Sequence, residues 1–334
     1  MARTIPLMVM ALCGQFLIMA MPARAAPPTL RLPISCTPGS DCFIQQYVDA
    51  DAGPGARDYT CGAQTYDGHQ GTDIRIRTTR DAERGVAVLA AAPGTVVAVR
   101  DGEPDRLARS DAERKAVARR ECGNGVVIDH GDGWQTQYCH MRQGSLAVAM
   151  GDAVVSGERL GEVGYSGLAA FAHVHITVRR GKQVIDPFTG VAMGKAGCGV
   201  SDGALWASDV LQALAYRAGA VLDVGFAPEA PEMAGIEEAR HAGEVPASDW
   251  PVLVAWGWAI NLEKGDEVAV SLAGPDGVLA ENRARLDRHK AQYLLYAGKR
   301  RPAAGWTPGR YVASFAILRD GKPVLSAERP VEIK

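Results

Sequence analysis

Four of the chain's seven histidines fall in three short patterns between Tyr66 and Pro187. The first is His69-Gln-Gly-Thr-Asp73, the second Tyr138-Cys-His140 and the third His173-Val-His175. Ala172, Val174, Ile176 and Val178 make the third a strand of the buried kind, where an imidazole without a partner is costly. Residues i and i+2 of a strand face the same side, so His173 and His175 point into one place, and the fold must bring polar partners there. Taken singly, each pattern is weak. H-x-H pairs are common, H-x-x-x-D often arises as an Asp capping a turn near an unrelated His, and His140 alone reads equally well as a satisfied core histidine. Together, His69, Asp73, His140, His173 and His175 are the kind of set a catalytic zinc requires: three protein ligands, an open position for water, and polar groups beside it to manage protons.

Short strands fill the rest of the pattern. Residues 73–77 alternate apolar and polar as a half-buried strand does. Residues 86–89, 95–99, 125–130, 134–140, 154–155, 160–163 and 174–178 continue the series, with a hairpin signal at Gly131-Asp-Gly133. The 38 glycines and few aromatics favour turn-rich β structure, a barrel or sandwich, over helical bundles. The glycine-rich stretch 151–167 is no phosphate loop, since it lacks the G-K-[ST] ending and no helix follows it. The charged interval 101–121 reads as a mixed-sign surface helix, with a solvated insertion favoured over a substrate-contacting lid as the alternative. Residues 206–216 read as a short helix and 228–246 as a linker. Beyond them, residues 252–260, 267–272, 293–296, 311–318 and 331–333 are strand candidates whose spacing suggests an immunoglobulin-like sandwich without an inter-sheet disulfide. A chain of 334 residues has room for two domains. The expected division is 1–25 signal peptide, 26–60 lead segment with little core of its own, 61–200 the β-rich domain that carries the histidines, 201–246 short helix and linker, and 247–334 the immunoglobulin-like domain.

The N-terminus has the form of a secretory signal: Arg3, an uncharged apolar run to Met21, and Ala23-Arg24-Ala25 as cleavage site. Pro6, Gly14 and Pro22 interrupt the run and no basic stop-transfer cluster follows, so no membrane attachment is expected after cleavage. Cleavage would take away Arg3 and Arg24 and leave 34 basic against 38 acidic side chains, a net charge near −4. That balance excludes a nucleic-acid binder by bulk electrostatics. It would also leave six cysteines, Cys36, Cys42, Cys61, Cys122, Cys139 and Cys198, which in an exported protein read as disulfides. Six cysteines allow fifteen connectivities. One arrangement joins Cys36–Cys42 as a short loop and Cys122–Cys139 across the hairpin, which leaves Cys61–Cys198 to tie the ends of the histidine-bearing region. No C-x-x-C pair supports a thiolate metal site instead.

The three histidine patterns, in this order, resemble those of the lysostaphin/LytM-type peptidoglycan endopeptidases. The resemblance covers about residues 61–190. It extends to Asn124-Gly-Val-Val-Ile-Asp-His-Gly131, which is similar to the family's N-x-V-x-I-x-H-G strand, to the glycine-punctuated approach to H-x-H, and to the closing Asp186-Pro187. It departs where Cys139 and Met141 flank His140, where Ala172 stands before His173 in place of a common Pro, and in the longer 101–121 interval. The resemblance implies a mainly β protein, with a catalytic β-sheet/barrel-sandwich of the duplicated hybrid motif type and the site in a groove. Carried over position by position, it makes His69, Asp73 and His175 ligands of one Zn2+ per chain and His140 and His173 the catalytic imidazoles. Tyr66 is a weaker candidate oxyanion donor, His130 reads as structural, and His241 and His289 as surface residues.

The function these features imply is a periplasmic or secreted zinc metalloendopeptidase acting on peptide cross-links of peptidoglycan. The alternative is a non-catalytic cell-wall-binding or hydrolase-regulating protein, the role of relatives that have lost ligands. All five positions are kept here, which argues against it. A closed structural zinc site would need a fourth protein ligand, and the sequence offers no obvious one. The terminal sandwich is expected to meet wall polymer or a protein partner, or to cover the groove.

Overall fold

Apolar–polar alternation in the first half of the chain resolves into one open antiparallel sheet. The structure is a computed structural model that describes residue 1, residues 26–195 and residues 197–334. The signal peptide expected over 1–25 thus lies, Met1 apart, outside the described residues. In chain order the first elements are β1 (Cys42–Gln46), β2 (Thr72–Ile76), α1 (Thr79–Glu83), β3 (Ala87–Leu89), β4 (Gly94–Arg100), α2 (Asp111–Ala116), β5 (Asn124–Gly131), β6 (Trp134–Met141), β7 (Ala153–Val154), β8 (Arg159–Glu162), β9 (His173–Arg180), β10 (Gln183–Ile185) and α3 (Ser208–Ala213). The main sheet has the order β1-β2-β9-β6-β5-β4-β7, with β10 beside β9, while β3 and β8 form a separate pair. The path does not close into a barrel. One face, with Ile74, Val126, Ile128, Tyr138, Val174 and Ile176, packs on Val88 and Leu160 of the small sheet to make the first core. Alternation then sends Asp73, Arg75, His173, His175 and Thr177 to the opposite face.

The second half is a face-to-face sandwich. Its strands are β11 (Ala220–Ala227), β12 (Val252–Leu262), β13 (Glu267–Gly274), β14 (Gly277–Arg285), β15 (Lys290–Arg300), β16 (Gly309–Arg319) and β17 (Lys322–Ile333), with α4 (Met233–Glu237) between the first two. A three-stranded sheet β11-β12-β15 covers a four-stranded sheet β14-β13-β16-β17. This immunoglobulin-like arrangement encloses Phe226, Leu253, Val270, Leu272, Phe315 and Ile317. Strand β12 reads Val-Leu-Val-Ala-Trp-Gly-Trp-Ala-Ile-Asn-Leu and is buried almost throughout. A nearly continuous apolar strand is the mark of burial on both faces. Leu253, Ala255 and Ala259 turn to the sandwich core. Val254, Trp256, Trp258 and Ile260 turn the other way and pack with Phe43 of β1.

Several elements differ from expectation. The interval 101–121 holds only the six-residue α2. Its first part is held as loop, because the Asn124 side chain accepts from Gly102 and Glu103 N–H and donates to the Glu103 carbonyl. The helix starts at Ser110, which forms a capping box with Glu113. The 26–60 segment is more than a surface lead: β1 pairs with β2, and Leu30, Ile34, Tyr47 and Tyr59 sit in the first core. Strand β11 falls inside the stretch expected to hold only helix and linker, and β14 was not foreseen; its solvent-facing sequence lacks apolar alternation. Strand β2 alternates as expected yet is buried on both faces, because the second half of the chain covers Arg75. His241, expected at the surface, is 5% exposed and lies 3.4 Å from Glu244, while His289 is exposed.

Among the described residues the disulfides are Cys36–Cys42, Cys61–Cys198 and Cys122–Cys139. Asp186 lies below the aromatic group of Tyr47, Tyr59 and Phe188, buried, with Oδ1 accepting from Phe188 N–H and Oδ2 lacking a partner. Burial pushes its carboxyl from 3.8 up to about 7, helped by Asp58. The native state therefore keeps this proton where the unfolded chain has released it, so the contribution is fully present below about pH 4 and lost as pH rises through about 7. Asp186→Asn, neutral at every pH, is expected to flatten the loss of melting temperature between pH 4 and pH 8 measured by scanning calorimetry. At about 1.4 kcal/mol per pKa unit, an unchanged slope would exclude a buried, protonated Asp186.

Candidate metal centre and groove

Strand register builds the cluster. Asp73 of β2 stands opposite His175 of β9, and Arg75 opposite His173. Directly opposed side chains share a face at close range, so one pairing brings a carboxylate against two imidazoles. His69 arrives from the turn before β2. Its carbonyl accepts Asp49 N–H at 2.9 Å and its Nδ1–H donates to the Tyr47 carbonyl at 2.7 Å. A carbonyl only accepts, so the lone pair of His69 lies on Nε2, which faces Asp73 Oδ1 at 3.2 Å and His175 Nδ1 at 3.3 Å. His175 Nδ1 lies 2.7 Å from Asp73 Oδ1, and its Nε2 meets the Thr177 hydroxyl at 2.9 Å.

These three side chains fit a divalent cation. Ligand atoms about 2.0–2.2 Å from a tetrahedral ion lie roughly 3.3 Å apart, and His69 Nε2, Asp73 Oδ1 and His175 Nδ1 are at 2.7–3.3 Å from one another. The other nitrogen of each imidazole is bonded to an oxygen, as orienting partners of ligating histidines usually are. Burial works against the Asp73 anion, but His69, His173 and His175 hold its carboxyl well below the usual range. Burial also works against a His69 cation, and the Asp73 carboxylate overcomes it and raises the imidazole. The pocket thus keeps one anion beside its lone pairs, as a cation site does.

Two further imidazoles stand at the edge. His140 Nδ1–H donates to the Ser166 carbonyl at 2.8 Å and His173 Nδ1–H to the Phe171 carbonyl at 2.9 Å, so each leaves Nε2 free. His173 Nε2 is 3.6 Å from Asp73 Oδ1, and the His140 and His173 rings lie 4.6 Å apart. Burial pushes His140 well below its ordinary pKa, assisted by His173 and His175, and burial also lowers His173 against the pull of Asp73. Both are neutral near pH 7. His140 has φ 61°, a left-handed backbone that a β-carbon makes costly. It is retained by His140 N–H donating to the Cys122 carbonyl at 2.8 Å and by the Cys122–Cys139 disulfide one residue before it.

The groove crosses this cluster. On one side a cavity of about 250 Å3 is lined by Asp73, His140, His173, Phe171, Ala108 and Arg114. On the other a cleft of about 500 Å3 is lined by His69, His175, Glu121, Gln137 and Arg179. Tyr66 and Leu168 border both, and the exposed Tyr66 ring lies 4.6 Å from that of His69. All five sequence-derived site residues therefore meet in one place. His130 lies apart, between the Pro93 carbonyl and the Thr136 hydroxyl. Sequence reading missed Arg114 and Ala108, which bring the charged insertion to the groove; its helix start at Ser110 was the available signal.

Residues 67–187 match the model of peptidase family M23. This segment is an M23 peptidase domain. Among solved structures the chain is similar to the catalytic domain of a mutant of the prophage-encoded M23 protein EnpA from Enterococcus faecalis, at 24% identity over 49% of this chain and 95% of that one, with a TM-score of 0.31. It is also similar to the catalytic domain of lysostaphin from Staphylococcus simulans, at 19% identity over 42% and 86% with a TM-score of 0.28. A zinc-containing peptidase from Vibrio cholerae shows 20% identity over 48% and 41% with a TM-score of 0.28.

Gly71 is fixed by this M23 geometry, since a β-carbon there would lie 2.5 Å from His175 Nε2 and 2.7 Å from the Ile176 carbonyl. Gly71→Ala should turn His175 away and weaken any binding of a divalent metal ion at this cluster by about tenfold or more, read by competition with a chromophoric chelator. Unchanged affinity would show that His175 does not need this approach.

Proposed function

We propose that this protein is an exported zinc-dependent endopeptidase that hydrolyses peptide cross-links of peptidoglycan. The observation that carries the proposal is the convergence of His69 Nε2, Asp73 Oδ1 and His175 Nδ1 within 3.3 Å of one another, beside two neutral imidazoles in an M23 domain. Two imidazoles and one carboxylate form a donor set suited to zinc with an open position. Zn2+ held there would supply Lewis acidity toward a peptide carbonyl and would acidify water toward a pKa of about 7. Three disulfides support a location outside the reducing cytosol, periplasmic or secreted.

The remaining work falls to this chain's own side chains. His69 and His175 are oriented by the Tyr47 carbonyl and the Thr177 hydroxyl, so that Nε2 of one and Nδ1 of the other face Asp73. His140 Nε2 and His173 Nε2 are unprotonated near pH 7 and free to accept hydrogen. The imidazole that takes the proton of the attacking water becomes the acid that returns this proton to the departing amine. Once protonated, either imidazole also donates toward the tetrahedral oxygen. Leu168 and Phe171 exclude bulk water along the rim, which strengthens these interactions. Arg114 offers a cation to a substrate carboxylate on the 250 Å3 side.

The deciding experiment is release of soluble muropeptides from purified peptidoglycan. His175→Ala and chelation should each lower release by about a thousandfold or more, and added Zn2+ should restore only the chelated wild type. A folded, zinc-loaded protein that releases nothing would overturn the reading. Arg114→Ala should raise KM for carboxylate-bearing soluble peptides about two- to fivefold with kcat unchanged, the scale of an exposed ion pair. An equal effect on peptides with amidated carboxyls would remove that role from Arg114.

A further inference from the structure

The two halves of the chain meet at a buried cation. Arg75 is 1% exposed and lies on β2, two residues beyond Asp73 on the same face. A buried guanidinium is costly without compensation, and this one has no carboxylate in direct contact among its described ion pairs. Its Nη1 donates to Gln45 Oε1 at 2.7 Å, and Glu237 of α4 adds a favourable charge from further away. Its Nε and Nη2 donate to the Ile76 and Arg77 carbonyls at 3.4 Å, and two aromatic rings flank it. Its Cζ lies 4.7 Å from the Phe171 centroid and 4.9 Å from the Trp258 centroid, within the range of cation–π contact. Phe171 belongs to the groove and Trp258 to the sandwich strand β12.

The stack continues into the site. The Phe171 ring lies 4.5 Å from that of His173, and the Phe171 carbonyl accepts His173 Nδ1–H. Trp258, Arg75, Phe171 and His173 are thus successive contacts across the boundary. The boundary itself is closed by specific bonds: Gln45 Nε2 donates to Asn261 Oδ1 at 2.9 Å and to the Ala291 carbonyl at 2.7 Å, and Asn261 Nδ2 donates to Gln64 Oε1 at 3.0 Å and the Ile44 carbonyl at 3.1 Å. Arg109 of the insertion pairs with Glu237. A module that only tethers the protein to a polymer needs a linker and an exposed binding face. This sandwich instead spends Trp258, Asn261 and Glu237 on the catalytic half.

We infer that Trp258 is a positioning residue for His173, acting through Arg75 and Phe171, so that the immunoglobulin-like domain completes the catalytic groove. The inference rests on the reading that His173 handles a proton in peptide hydrolysis.

The test uses the full-length, zinc-loaded protein with Trp258→Leu, which keeps apolar bulk but removes the ring, Trp258→Phe, which keeps a ring, Phe171→Leu and the Trp258→Leu/Phe171→Leu double variant. On a short soluble cross-link peptide, Trp258→Leu should lower kcat about tenfold with KM within about twofold, with zinc content kept and Trp258→Phe near wild type. The double variant should be no slower than Phe171→Leu alone, since both act along one path. The imidazole 15N resonances of His173 should move in Trp258→Leu while those of His69 and His175 stay. Losses that multiply in the double variant, full activity on the soluble peptide with loss only on whole peptidoglycan, or unmoved His173 resonances would each overturn the inference. A wild type that cleaves neither substrate would instead defeat the proposed function, and the resonances would still decide this one. Should Trp258→Leu fail to fold, Phe171→Leu must by itself reproduce the kcat loss and the His173 shift, or the inference fails.

Discussion

Everything chemical in this molecule depends on one antiparallel register, that of β2 against β9. With Asp73 opposite His175 and Arg75 opposite His173, the carboxylate meets its imidazoles and the cation sits one step further along the same face. A slip of β2 by one residue would send Asp73 and Arg75 into the first core and bring Ile74 out to the groove, parting the carboxylate from its imidazoles. The apolar alternation that builds the core is therefore also what prevents the site from being assembled wrongly. His69 and His140 need separate devices because the first lies in the turn before β2 and the second at an irregularity in the β5–β6 pairing. One is clamped between Tyr47 and Asp49, and the other is held in a left-handed turn by Cys122.

The site was largely legible in the sequence because its signals are local. H-x-H on an apolar strand fixes a shared face by period alone, and the five residues that the family pattern nominates do converge. The disulfide arrangement was legible for a related reason, since a short loop and a hairpin left one remaining pair. What could not be read were consequences of long-range contact. The alternation of residues 73–77 predicts a strand with one wet face, and nothing in those residues says that Trp258, far along the chain, will cover Arg75. The insertion 101–121 has helical composition, yet Asn124 captures the backbone of Gly102 and Glu103 and leaves only one short helix. Strand β1 was missed because the Pro- and Gly-rich residues around it dominate the local signal, while its partner β2 supplies the order.

The charges in the interior follow a consistent logic. Asp73 stays ionised because three imidazoles surround it. Arg75 is accommodated by two rings, a side-chain amide and two backbone carbonyls. Asp186, buried and beside Asp58, is pushed toward its neutral form. In each case desolvation sets the problem and the neighbours decide which protonation state survives. The two carboxyl groups differ in place accordingly: the ionised one lines the groove, and the neutral one is buried beside Phe188.

Strand β12, apolar on both faces, makes the sandwich a poor traveller. Detached and fused to another enzyme, it would keep Leu222, Ala227 and Ile236 over part of this face but lose Phe43 and Arg75, uncovering apolar surface around Trp258, the sort of surface that drives association. The half left behind would expose Phe43 and a guanidinium that has lost one of its rings. Exchange of parts between relatives thus succeeds only when both halves move together, so the lineage of this catalytic domain and that of its sandwich are expected to have been inherited as a single unit.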